Sequence, residues 1–184
     1  MARSLTQWLC DSVGFFGVQA CLQTIATAIE QPLAVLTPSE PASKHHVAVR
    51  DLGLELFLSH PHAGLTENGA PDRWVLSAVH LYRTDPEKGA WPYQLPHGLH
   101  WSMDALATQA ALGDEICTGR HTQAGMQTLR QSHFLPTAQV VQCTWLAHAT
   151  NAPKAWDMRV IEVYHLGSAR PWDERDWIDS SPEP

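Results

Sequence analysis

Leucine recurs at every second position in Leu52, Leu54, Leu56 and Leu58, with Gly53, Glu55 and Phe57 between them. That period of two is the signature of a strand with one buried face. The run HVAVRDLGLELFLS (46–59) therefore reads as one strand. WVLSAVHLYR (74–83) reads as a second, with Val75, Ser77, Val79 and Leu81 opposite Trp74, Leu76, Ala78, His80 and Tyr82. Antiparallel pairing of the two, across the turn-rich loop HPHAGLTENGAPDR, is the economical arrangement. Two later runs, AQVVQCTWLAHA and DMRVIEVYHLG, predict two more strands joined through TNAPKAW.

Helical spacing governs the first part of the chain. Leu22, Ile25, Ala26 and Ile29 follow it, and Pro32 ends it. Gly14 and Gly17 divide this segment into a short helix and a longer one. A further helix is predicted over Met103–Leu112, with Ser102 as N-cap, Gly113 as terminator, and Met103, Leu106, Ala107, Ala110 and Ala111 facing inward. The polar stretch from Ile116 to Phe134 follows no period and receives no element.

These elements predict one α+β domain over 1–184, an antiparallel sheet of four or more strands with helices on one face. It divides into an N-terminal helical segment (1–36), a strand pair (45–83), a helix with a second strand pair (98–166) and an acidic tail (167–184). A coarse echo, helix then two strands in 17–83 and again in 98–166, suggests a pair of repeated units.

Composition narrows the function. Hydrophobic residues make up 44% of the 184, as a folded globular chain requires. A net charge of -7 lacks the basic footprint of a nucleic-acid binder and suits a basic protein partner. No stretch is long and apolar enough to span a membrane, and Asp11 interrupts the only leader-like run. The four cysteines form no CxxC pair, which suits a reducing, cytoplasmic setting.

No cofactor or metal is expected. His60 and His62 form an HxH and His97 and His100 an HxxH among eleven histidines, yet no third ligand is fixed by spacing. No nucleophile elbow or phosphate cradle is present in the sequence, so a partner-binding protein is expected and not an enzyme. The aromatic residues fit that reading. Trp91 lies in a Pro/Gly-rich loop, and Trp172 and Trp177 stand beside Asp173, Glu174 and Asp176. A Trp among carboxylates has the composition of a binding anchor with a steering rim, to which Glu67 and Asp72 add charge. Trp74, Trp101 and Trp145 fall in regular elements and are expected in the core.

The segment YQLPHGLHWSMDALATQAALGD resembles small bacterial immunity proteins, of the pyocin type and others that accompany polymorphic toxins. Leu95, Pro96, Gly98 and Leu99, then Leu112 and Gly113, carry the likeness, together with the preceding strand pair. Its helix–strand–strand unit is similar to that of beta-lactamase-inhibitor-like domains. The proline that usually follows the helix glycine is absent, since Asp114 and Glu115 come next. The resemblance implies a partner: a toxin domain of a secreted effector, blocked in the producing cell. A ligand-binding or scaffolding domain is the alternative, and after it an unrecognised hydrolase with converging histidine and carboxylate side chains.

Overall fold

The computed structural model describes residues 5–14, 18–28, 30–36, 44–49, 52–59, 75–87, 89–113, 115–123, 126–148 and 157–165. Helices α1 (Leu5–Asp11), α2 (Val18–Ala28) and α3 (Leu33–Leu36) precede strands β1 (Lys44–Val49), β2 (Leu54–Ser59) and β3 (Val75–Tyr82). After a short 3-10 turn at Pro96–Gly98 come α4 (Ala105–Leu112) and strands β4 (Glu115–Gln123), β5 (Met126–Phe134), β6 (Gln139–His148) and β7 (Asp157–His165). The seven strands form one sheet in the order β1-β2-β3-β7-β6-β5-β4. Every neighbouring pair is antiparallel. The α+β architecture with a sheet of more than four strands is as the hydrophobic pattern predicts.

Alternation decides which face is covered. Leu54, Leu56 and Leu58 of β2, Val79 and Leu81 of β3, Val141, Cys143 and Trp145 of β6, and Ile161 and Val163 of β7 share one core. Leu9 and Cys10 from α1, Val13 from the turn after it, Leu22 and Ile25 from α2, and Leu36 from α3 close over it. Burying each such side chain contributes roughly 1.5–3 kcal/mol. Gly14 seats α1 on the sheet. Its N–H donates to the Leu76 carbonyl at 2.8 Å. Its φ is +93°, and a Cβ there would come within 2.3 Å of the His165 ring.

The structure corrects three expectations. The run 46–59 is a hairpin, not one strand: β1 pairs with β2, from Lys44↔Ser59 to Val49↔Leu54. The reason is Gly53, whose φ of +58° turns the chain and whose missing Cβ admits the Trp91 backbone nitrogen, 2.6 Å from where that Cβ would stand. The leucine period runs through the turn because Leu52 continues as a bridge to Gly89.

Helix α4 differs in both cap and face. Asp104, not Ser102, caps it, its Oδ1 accepting the Ala107 N–H at 2.8 Å. Leu106 is 77% exposed, and Thr108 is the helix's wholly buried residue. The two ends fix this roll. The Met103 carbonyl accepts the Trp145 indole N–H at 2.9 Å, and the Gly113 carbonyl accepts from His133 Nδ1 at 3.1 Å. For two turns of helix, pinned ends outweigh an apolar stripe made mostly of alanine.

The third correction concerns 116–134, which contains the β4–β5 hairpin. The hydrophobic pattern is weak there because the β4 side chains from Cys117 to Thr122 largely meet water and β5 buries the polar Gln131 and His133.

Candidate functional site

The second face of the sheet carries a row of polar side chains. Cross-strand register sets Glu55 beside His80, His80 beside Glu162, Glu162 beside Gln142, and Gln142 beside Ser132. Alternation brings them there: each is one residue from a core position on its own strand. Glu55, His80 and Glu162 are 5%, 1% and 8% exposed. Two carboxylates this far from water require compensation.

Compensation comes from within the row. Tyr82 Oη donates to Glu55 Oε2 at 2.5 Å. His80 Nδ1 lies 3.5 Å from that oxygen, and His46 Nε2 lies 3.4 Å from Glu55 Oε1. The Gln142 amide donates to Glu162 Oε2 and accepts from the Ser132 hydroxyl at 3.1 Å. His80 Nε2 stands 4.0 Å from Glu162 Oε1. Phe57 lies against His46 and His80, with ring centroids 4.6 and 4.4 Å apart. Burial, then the Glu55 carboxylate, pushes the Tyr82 phenol far above its ordinary range. It therefore remains a donor at any physiological pH. Burial likewise raises Cys143, with Glu162 adding to it, which leaves an unreactive thiol.

The row sets an imidazole between two carboxylates whose oxygens already face protein groups. Such networks specify one packing of a sheet face. A base that attacks a substrate needs an acceptor within reach of it. Among the described residues, no group of three His, Cys, Asp or Glu is placed to hold a metal ion.

The second feature is the wing formed by β4 and β5. Cys117, Thr118, Arg120, His121 and Thr122 are exposed along β4. On β5, Leu129, Gln131 and His133 are buried while Phe134 is 48% exposed. β4 closes the sheet order, and among the described residues it pairs with β5 alone.

The residues singled out from sequence are placed as follows. Trp91 is 4% exposed and sits in the core, its Nε1 donating to Thr6 Oγ1 at 3.1 Å. Its neighbour Tyr93 is exposed at the surface. Trp145 is wholly buried and Trp101 packs against the core. Glu67, Asp72, Trp172, Asp173, Glu174, Asp176, Trp177, Trp74, His60 and His62 lie outside the described residues. His97, of the HxxH, occupies the 3-10 turn with a φ of +55°, and its N–H donates to Gln7 Oε1 at 2.9 Å. Sequence reasoning missed the polar row. Its signal was present: a charged or polar residue interrupts the apolar face of three strands, at Glu55, His80 and Glu162.

Among the described residues, no helix is long and apolar enough to cross a membrane. Comparison with protein families, with curated proteins and with solved structures finds no match.

Proposed function

We propose that the chain is a binding protein, and within that class an immunity protein that captures a cognate toxin and occludes its active site. The wing carries this reading. Five side chains of β4 between Cys117 and Thr122 are exposed, which serves recognition better than stability. The likeness of 93–114 to immunity proteins points the same way. The acidic balance of the whole chain suits a basic toxin such as a nuclease, with Glu67, Asp72 and the carboxylates of the tail as steering charges.

The test is capture from the native bacterium followed by rescue. A toxin fragment recovered with the chain should arrest growth when expressed alone, and co-expression of the chain should restore it. Failure of the chain to retain any growth-arresting fragment, at low and at high salt, would end this reading.

A second reading rests on a separate observation, the convergence of His80 with Glu55 and Glu162. It makes the sheet face an acid–base site. Substitution His80→Gln distinguishes the two: an acid–base site loses turnover with ligand affinity kept, whereas a structural network loses stability.

A further inference from the structure

We infer that β4 receives an extended, acidic strand of the partner protein, which lengthens the sheet by main-chain pairing at this edge. The inference rests on the binding reading and specifies how and with what chemistry the partner docks.

Edge strands are hazards, and proteins blunt them with short length, proline, lysine, bulges or a covering segment. β1, at the opposite edge, has six residues and begins with Lys44. β4 has nine residues and contains neither lysine nor proline. One irregularity lies at its start, between Glu115 and Cys117. From Cys117 to Gln123 its register with β5 is unbroken. Its outer N–H and C=O groups have no strand partner among the described residues. Along this stretch Cys117, Thr118, Arg120, His121 and Thr122 are exposed. An unbroken, exposed edge with β-branched threonines is a template for strand addition.

Charge selects the occupant. The chain as a whole carries -7, yet the hairpin 115–134 holds Arg120 and Arg130 against Glu115 alone. Between Cys117 and Gln123 there is no carboxylate to answer Arg120 and His121. Antiparallel self-pairing about Arg120, the centre of the unbroken stretch, would set the Arg120 of one copy against that of the other. Like charges opposite one another across strands are destabilising, and opposite charges are favourable. An added strand with glutamate or aspartate at alternate positions answers both the main chain and the arginine. This local preference is opposite in sign to that of the whole chain. A basic toxin steered by the acidic surface would still dock here through an acidic strand.

The probe is a short synthetic peptide of alternating threonine and glutamate, titrated into the full chain with amide exchange and chemical shifts as readouts. Slowed exchange confined to β4 is expected. A threonine–lysine peptide should bind at least about tenfold more weakly, and Arg120→Glu should invert that preference. A peptide N-methylated along one edge should not bind. Absence of β4 protection by the threonine–glutamate peptide, affinity indifferent to N-methylation, or dimerisation of the chain through β4 would each overturn the inference. Recovery of a toxin that leaves β4 amides exchanging freely would overturn it too, while leaving the immunity reading standing. Peptide binding without any toxin would do the reverse.

Discussion

Strand β3 and strand β4 are both antiparallel and similar in length, yet they live in different solvents. All eight residues of β3 are buried. On β4, five consecutive or near-consecutive side chains from Cys117 to Thr122 are exposed. At the centre, polarity is tolerated only with partners: Ser77 donates to the Phe57 carbonyl at 2.8 Å, and His80 lies between two carboxylates. On β4, Thr118, Arg120, His121 and Thr122 meet water. One part of the sheet is thus committed to folding, and its edge at β4 is exposed.

Substitutions should separate these two regions by the size of their effects. The largest belongs to Trp145, wholly buried on β6 and hydrogen-bonded to Met103. Trp145→Ala should cost about 3–5 kcal/mol in denaturant unfolding, and would refute the division if it cost no more than a surface change. His80→Leu comes next. It leaves Glu55 and Glu162 facing each other without the imidazole between them, with an expected loss of about 3 kcal/mol or more. Replacing Glu55, His80 and Glu162 together by apolar residues should recover much of that loss, and a triple variant as unstable as the single one would show that the row does more than neutralise itself.

A smaller effect is expected at the junction of α1 with the 3-10 turn. Burial lowers the pKa of His97 below its ordinary 6.5, against a weaker opposing pull from Asp11. A histidine held in its neutral form contributes stability above the unfolded value, and loses it as the pH falls through the folded one. The denaturation midpoint should therefore drop below pH 6.5, and drop less in His97→Asn, which keeps a residue tolerant of the +55° φ. Parallel pH profiles for the two proteins would sink this assignment. The smallest change is expected from Arg120→Glu in the wing, within about 0.5 kcal/mol of the parent in stability.

Much of the centre was legible in the sequence, because period-two leucines and valines mark a half-buried strand whatever surrounds them. β3, β6 and β7 fall where Val75, Val140 and Ile161 recur with their neighbours. The hairpin at Gly53 was not legible, since a continuous leucine period masks a turn that only the left-handed glycine reveals. Helix α4 was found but rolled wrongly: its apolar stripe gave way to the bonds at Met103 and Gly113. The wing escaped because β4 is exposed on both faces and the buried positions of β5 include the polar Gln131 and His133. The row of Glu55, His80 and Glu162 escaped for a different reason. Each strand shows only one polar residue among apolar ones, and register across strands distant in sequence assembles them.

The position of β7 has a consequence for how the chain is made. Among the described residues, the last strand along the chain lies in the middle of the sheet, between β3 and β6. Until residues 157–165 emerge, β1–β2–β3 and β4–β5–β6 are separate blocks, each with an apolar inner edge seeking a partner. Assembly must therefore wait for the completed strand, and a nascent chain stalled before Asp157 would present two sticky borders instead of one closed domain. Synthesis and folding are coupled at this point: the strand that joins the halves also releases the histidine whose ring fills the space at Gly14.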